Sequence, residues 1–230
     1  MDQIKQNLEI ITSEISNAAK KVKRELKNIT IIGVSKKQSI ETVKNGIKAG
    51  ITTFGENYIQ EAVDKIDSID NPDLSWHFIG HLQSNKAKFA VKYFDLIHSV
   101  DTLKLASQIN KQAEKINKIQ KILIQVNISL EKSKSGIDSK DACFLAKRIS
   151  SLENIKLMGI MGMPPFSKDP ENARQYFKQL KNIQDYIKKQ NIPCVEMEHL
   201  SMGMSQDFKI AIEEGATMVR IGTKLLGSRI

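Results

Sequence analysis

The chain has 230 residues, 40% of them hydrophobic and 27% charged, which is ordinary for a soluble globular protein with one core and no cross-links. Its net charge of +9 is spread over helix-like segments in which both signs alternate, and aromatic residues make up only 6%, so no nucleic-acid stacking surface is indicated. No signal peptide or membrane-spanning run is visible, and Cys143 and Cys194 lack metal-ligand spacing, which favours a cytoplasmic protein without nucleic-acid, membrane or metal partners.

The first 27 residues predict an amphipathic helix. Apolar residues recur at steps of three and four from Ile4 to Leu26, which places them on one stripe of a helix. The β-branched run at residues 29–34 is typical of a strand buried on both faces. Because the helix precedes the first strand, we expect it to pack as an extra element on the fold formed by the rest of the chain.

Strand-like and helix-like segments alternate from residue 29 to the C-terminus. Helix starts are indicated by Ser39, by Asp101 and by the sequence Asp169-Pro170-Glu171. Unbroken alternation predicts a parallel sheet, either closed or doubly wound, and eight units favour the closed form. We therefore predict one α/β domain over residues 1–230, a (β/α)8 TIM-type barrel with the N-terminal helix over residues 1–27 packed on it. The predicted strands are residues 29–34, 52–54, 76–79, 94–100, 121–127, 155–160, 196–200 and 217–221.

Small residues follow the last two predicted strands. In parallel α/β folds the working residues lie past the carboxyl ends of the strands, and barrels often bind phosphate there, after strands seven and eight. Glycines let backbone N–H groups approach an anion, and helix starts favour negative charge. Ordinary tight turns would use the same residue types. The predicted phosphate-binding residues are Ser201, Gly203, Ser205, Gly222 and Thr223.

Lys36 directly follows the first buried strand. A lysine at the mouth of a barrel can be partly desolvated and present a neutral amine, which is what imine formation with an aldehyde requires. The opposing interpretation is a solvated surface lysine, as expected for Lys37 beside it.

Arg220 lies in the last predicted strand, and it points inward if Met218 does, by the two-residue alternation of a strand. It could pair with a phosphate or with a ring nitrogen, or form a structural ion pair with an acid such as Glu198. The four histidines show no metal-ligand spacing to one another or to cysteine, so we predict no metal site.

Seven blocks of sequence resemble the pyridoxal phosphate homeostasis protein family. They run in order from about residue 30 to the C-terminus, which makes the resemblance more specific than any single motif. The family is similar to the barrel domain of alanine racemase. The blocks are residues 34–36 (VSK), 54–61 (FGENYIQE), 76–86 (WHFIGHLQSNK), 133–136 (SKSG), 201–207 (SMGMSQD), 219–223 (VRIGT) and 227–229 (GSR).

The resemblance implies a binding site for pyridoxal 5′-phosphate. Family members hold this cofactor on the lysine of the first strand, which implies that Lys36 forms the Schiff base. Arg220 is then expected near the pyridine nitrogen and Asn57 near the ring. The residues implied around the phosphate, through side chains and backbone, are Ser201, Ser205, Gly222 and Thr223.

The function implied is cofactor homeostasis without catalytic turnover, with apo forms of pyridoxal-phosphate enzymes as recipients. The main alternative is an amino-acid racemase, which needs an acid/base group on each face of its substrate. Because the chain ends at Ile230, after the eighth unit, we expect no second domain to supply the second base and a monomeric protein. A further alternative is a barrel enzyme that acts on another phosphorylated metabolite, with Lys36 as its catalytic amine.

Overall fold

The eight predicted strands form one closed parallel barrel in the computed structural model, which describes residues 2–129 and 135–228. Ser133, Lys134 and Arg229, which belong to the sequence blocks above, lie outside these ranges. The strands are β1 (Thr30–Val34), β2 (Thr53–Glu56), β3 (Ser75–Phe78), β4 (Leu96–Val100), β5 (Gln120–Asn127), β6 (Ile137–Asp138), β7 (Ile155–Gly162), β8 (Val195–Met204) and β9 (Met218–Ile221).

The helices pack around the strands. They are α1 (Asp2–Lys21), α2 (Ile40–Lys48), α3 (Ile59–Ile69), α4 (Ala87–Tyr93), α5 (Leu103–Glu114), α6 (Ala142–Ile149), α7 (Arg174–Lys189), α8 (Phe208–Glu213) and α9 (Thr223–Leu226). Short 3-10 turns occur at Leu26–Asn28, Ser84–Lys86 and Pro170–Ala173. Within the described ranges, none of these helices is both long enough and apolar enough to cross a lipid bilayer.

The barrel closes through pairing of β4 with β5. The strand order around it is β1-β2-β3-β4-β5-β7-β8-β9, and β9 pairs again with β1, all in parallel. β6 stands outside this ring as a two-residue strand beside the end of β5, where Ile137 pairs with Val126. It was not predicted, because two residues carry no periodicity.

Two of the three predicted helix starts are confirmed. The Ser39 side chain accepts a hydrogen bond from Thr42 N at the start of α2, and Asp169 Oδ1 accepts one from Glu171 N ahead of α7. The prediction that Asp101 caps α5 is wrong by one position. Thr102 is the capping residue, because its hydroxyl accepts from Leu105 N at 3.3 Å.

The N-terminal helix is shorter than the predicted 27 residues, because α1 ends at Lys21. Its buried stripe includes Ile11 and Ile15, and it packs on the last two helices of the barrel. Asn7 Nδ2 donates to Leu225 O at 3.1 Å, which links the two ends of the chain.

Strand β8 is longer than predicted, so that Ser201 and Gly203 lie within it and not in the loop after it. Ser201 pairs with both Met161 and Met218, and the register shifts before Met204. Gly203 has φ +89°, which a bulge accommodates. In the sequence, a glycine in such a bulge cannot be distinguished from a glycine in a turn. The strand therefore carries Ser201 into the barrel wall.

Both polar and apolar side chains point into the barrel interior. An inner apolar cluster contains Leu96 and Met218. Since side chains two positions apart in a strand share a face, His98 and Arg220 also point inward. Both are buried, and the interior is therefore partly polar.

Gly159 tests how tightly the strands pack. A Cβ at this position would lie 1.8 Å from His199 O on β8, and backbone cannot retreat as a flexible side chain would. We expect Gly159→Ala to lower the free energy of unfolding by about 3 kcal/mol in urea titrations. At Gly46, in helix α2, an added Cβ would lie no closer than 3.3 Å to any neighbouring atom. Gly46→Ala should therefore change the free energy of unfolding by less than about 1 kcal/mol. Equal effects of the two variants would contradict this account.

Candidate cofactor-binding site

A cavity of about 650 Å³ opens at the carboxyl ends of the strands. This is the end at which parallel barrels place their functional groups, and the volume suits a small cofactor. Residues that follow six of the strands contribute to its wall. They include Asn57 after β2, Gly80 and His81 after β3, Asn127 at the end of β5, Met163 after β7, Ser205 and Asp207 after β8, and Thr223 after β9.

Lys36 follows a strand whose two neighbours lead to residues that line this cavity. β1 lies between β2 and β9, with Val34 opposite Gly55 and Gly33 opposite Ile221. Lys36, two residues beyond the strand, is therefore adjacent to the segments that carry Asn57 and Thr223. It is half-buried and lies in a turn, but its atoms do not form part of the cavity wall.

Asn57 brings a buried acceptor to the cavity wall. Its Oδ1 atom is inaccessible to solvent and has no hydrogen-bond partner among the described residues. Gly80 makes this arrangement possible, because a Cβ there would lie 2.1 Å from Asn57 O. A buried acceptor without a partner costs free energy, and such a group at a cavity fits a ligand that supplies the partner.

Arg220 is a buried cation below the cavity. Its Nη1 donates to Ser201 Oγ at 2.6 Å and its Nη2 donates to Gly162 O at 3.2 Å. No carboxylate of the described residues lies within ion-pair distance of it. Burial lowers the pKa of Arg220 to about 10, while the charge of Asp207 raises it, so that the guanidinium stays protonated at neutral pH.

A chain of hydrogen bonds continues from Arg220 across the barrel interior. His98 Nδ1 lies 3.0 Å from Ser201 Oγ, and its Nε2 lies 3.1 Å from His77 Nδ1. His77 Nε2 in turn lies 3.2 Å from Ser75 Oγ. The chain thus connects strands β9, β8, β4 and β3.

The direction of this chain follows from its two ends. Arg220 can only donate, and Ser75 Oγ donates to Asp95 Oδ2 at 3.4 Å and therefore accepts from His77 Nε2. Ser201 Oγ accepts from Arg220, so its own hydrogen is available to His98 Nδ1. His98 then carries its proton on Nε2 and donates to His77 Nδ1, and His77 donates from Nε2 to Ser75 Oγ. The Arg220 cation at one end and the Asp95 carboxylate at the other therefore assign the tautomer of both imidazoles.

Both histidines are held neutral. Burial lowers the pKa of His77 to about 3, with the charges of His199 and Lys121 adding to the effect. Burial also places the pKa of His98 well below its usual 6.5, and the charges of His77 and Arg220 lower it further. Neutral rings are what the chain requires, because a protonated imidazole would have no acceptor nitrogen.

The structure separates the predicted phosphate-binding residues into two groups. Ser205 and Thr223 line the cavity, and buried Gly222 directly precedes Thr223. The Ser201 hydroxyl is engaged with Arg220 and His98, while Gly203 packs against α8, where a Cβ would lie 2.5 Å from that of Ala211. The part each residue has in binding stays a prediction.

Sequence reasoning missed the partnership of His77, His98 and Ser201. The alternation that pointed Arg220 inward applies equally to His98, two residues after Leu96, and could have indicated a polar interior. Sequence reasoning also assigned no role to Asp207, which lines the cavity and whose pKa is raised chiefly by burial. No cluster of metal-ligating side chains occurs in residues 2–129 and 135–228, and the absence of a metal site stays a prediction.

The neutral histidines predict a pH dependence of stability. Below pH 6.5 the unfolded chain protonates both rings and the folded chain does not, so the free energy of unfolding falls as pH falls from about 6.5 towards 3. Each histidine contributes up to about 1.4 kcal/mol per pH unit. We expect His77→Gln, whose amide can still accept from His98, to reduce the slope of the free energy of unfolding against pH by the equivalent of about one proton. The slope is measured with urea titrations at pH 7, 6 and 5. An unchanged slope would contradict a neutral buried His77.

Comparison with known proteins agrees with this geometry. Residues 2–229 match the family described as alanine racemase, N-terminal domain. The pyridoxal phosphate homeostasis protein of Vibrio alginolyticus is 41% identical over 100% of this chain and 99% of its own, and that of Aquifex aeolicus is 39% identical over 97% of both. The structure of PipY of Synechococcus elongatus with PLP bound superposes with a TM-score of 0.86 at 33% identity, over 97% of this chain and 100% of that one. The chain therefore belongs to the alanine racemase N-terminal domain family and, within it, to the pyridoxal phosphate homeostasis proteins.

Proposed function

We propose that the protein binds pyridoxal 5′-phosphate on Lys36 and buffers or delivers it without catalytic turnover. The observation that carries the proposal is the place of Lys36, half-buried at the end of β1 between the cavity-lining Asn57 and Thr223. When bound, the cofactor supplies an aldehyde that forms a reversible imine with a lysine amine. Reversibility suits storage and transfer. PipY, which is similar over the whole chain, has a structure with PLP bound.

The other residues of the site would fix the orientation of the cofactor. Ser205, Gly222 and Thr223 supply small side chains and backbone groups for the phosphate at one side of the cavity. Asn57 offers an amide to the ring. Arg220 supplies a permanent positive charge for the pyridine nitrogen, and Ser201 acts through Arg220, since its hydroxyl accepts from Nη1.

The chemistry of Arg220 gives no support for the broader reactions of pyridoxal-phosphate enzymes, but it does not separate a carrier from a racemase, which can use an arginine at this place. A protonated guanidinium near the pyridine nitrogen would keep that nitrogen unprotonated, which would make the ring a weaker electron sink than an acidic partner would. Racemisation also needs an acid/base group on each face of the substrate. The relatives named above are called homeostasis proteins. An amino-acid racemase remains the alternative function.

The proposal includes the setting in which the protein would work. Its partners would be apo forms of pyridoxal-phosphate enzymes, and the barrel would act as a monomer in the cytoplasm. These partners follow from the chemistry of delivery, since a reactive aldehyde is best passed to the enzymes that retain it.

The central prediction concerns Lys36. Protein mixed with pyridoxal 5′-phosphate should develop a visible imine band, and borohydride reduction followed by peptide mass mapping should place the adduct on Lys36. Lys36→Ala should lose both, because it removes the amine that follows β1 between the segments that carry Asn57 and Thr223. Lys37→Asn, which removes the neighbouring exposed amine and tolerates the positive φ of that position, should keep both.

Two results would count against the proposal. An adduct spread over many surface lysines would show that Lys36 is not a dedicated site. Steady racemisation of an amino acid by the loaded protein would replace the carrier function with the racemase alternative.

Asn57 provides a second prediction. Because its buried Oδ1 makes no hydrogen bond within the described structure, Asn57→Ala should leave the thermal stability of the unliganded protein nearly unchanged. Titration with the cofactor should show affinity reduced about fivefold, the value of one hydrogen bond. Asn85→Ala, on an exposed asparagine outside the cavity wall, is the matched control. Loss of stability without loss of affinity would make Asn57 structural.

A further inference from the structure

Lys36 occupies a strained turn. Gln38 N donates to Ser35 O at 3.0 Å, which closes a four-residue turn with Lys36 and Lys37 at its centre. Of these two, only Lys37 has a positive φ, +57°, the pattern of a type II turn. That position favours glycine, so a lysine there needs support from its surroundings.

Lys65 of helix α3 provides such support from below. Its Nζ donates to Ser35 O at 2.6 Å, to Glu56 Oε1 at 2.8 Å and to Glu61 Oε1 at 2.6 Å. An ammonium group has three N–H donors, and all three are used. The Lys65 side chain is 4% exposed, which is rare for a lysine.

The same cluster holds the backbone on both sides of Lys36. Before it, Ser35 O accepts from Lys65, and Ser35 Oγ donates to Glu56 Oε1 at 2.7 Å. After it, Lys37 N donates to Glu61 Oε1 at 2.5 Å. The two peptide units that set the direction of the Lys36 side chain are therefore tied to one point of the structure.

We propose that Glu56, Glu61 and Lys65 form a brace that holds the Lys36 turn in the orientation from which its amine reaches the cofactor. The proposal rests on the proposed function of Lys36. These three are positioning residues, since their contacts are with the backbone around Lys36 and with one another. They explain why the block at residues 54–61 carries two glutamates that do not line the cavity.

The composition of the brace favours positioning over stability. Buried ion clusters lose much hydration, and apolar replacements of similar volume are often equally stable. Here Glu56 is fully buried, its Oε2 has no partner among the described residues, and burial raises its pKa. A cluster that stabilised the fold alone would not need hydrogen bonds to the two peptide units next to Lys36.

The test compares two substitutions of Glu61, whose side chain is 26% exposed and can be changed without opening the core. Glu61→Ala removes the acceptor for Lys37 N, whereas Glu61→Gln keeps an acceptor oxygen and removes the charge. Asp64→Ala removes an exposed carboxylate of the same helix and is the control. Amide exchange of residues 36–38 is measured without cofactor, and the amount of borohydride-trapped Lys36 adduct is measured in cofactor titrations.

We expect Glu61→Ala to speed exchange at residues 36–38 and to weaken adduct formation, each by about tenfold, the loss of one charge-assisted hydrogen bond. Glu61→Gln should restore both to within about threefold of the original protein, and Asp64→Ala should change neither. The exchange measurement follows the turn itself and does not depend on the cofactor.

Three outcomes separate the two proposals. If the unsubstituted protein forms no adduct on Lys36, the proposed function fails. If it does and Glu61→Ala binds equally well, the brace is overturned while the function stands. If Glu61→Ala speeds exchange throughout the barrel and not at residues 36–38 in particular, Glu61 is a general structural tie and the brace is again overturned.

Discussion

The burial of one positive charge, that of Arg220, sets the arrangement of the barrel interior. A guanidinium removed from water needs acceptors, and it finds the Ser201 hydroxyl and the Gly162 carbonyl on the two preceding strands of the ring. Ser201 accepts from Arg220 and passes its own hydrogen to His98, whose acceptor nitrogen requires a neutral ring. The low pKa values of His98 and His77 are thus part of the same arrangement that keeps Arg220 inside.

This arrangement divides the proposed site into a fixed part and a more adaptable part. Arg220 and Ser201 lie on strands and are held by the chain of hydrogen bonds, whereas Ser205 and Thr223 follow strand ends at the cavity. A carrier must orient its cofactor well enough to favour one lysine and still release it. In the proposed function, fixed groups on strands would orient the ring and residues just past the strand ends would surround the phosphate, since groups on rigid elements hold their geometry better than those beyond them.

Sequence pattern predicted the fold better than it predicted the partners within it. Alternation and helix starts depend on neighbouring residues, which is why eight strands and the caps at Ser39 and Asp169 were found. The hydrogen bond between His98 and Ser201 joins residues 103 positions apart, and no local pattern encodes it. The bulge in β8 was missed for a related reason, because the positive φ of Gly203 is typical of turns as well. Nothing in the sequence pattern distinguished Lys65 from the other lysines.

Several groups at the carboxyl end of the barrel are held at a cost to the unliganded protein. Lys37 has a left-handed conformation, Asn57 Oδ1 and Glu56 Oε2 are buried without partners in the described structure, and Arg220 is a buried cation. A structure selected for stability alone would relax such features, and costly features of this kind beside a cavity are typical of functional sites. Lys37 directly follows Lys36, and Glu56 accepts from the Ser35 hydroxyl that precedes it. In the proposed function, binding of the cofactor would offset part of these costs, because it would bring partners to groups that the unliganded barrel keeps buried or strained.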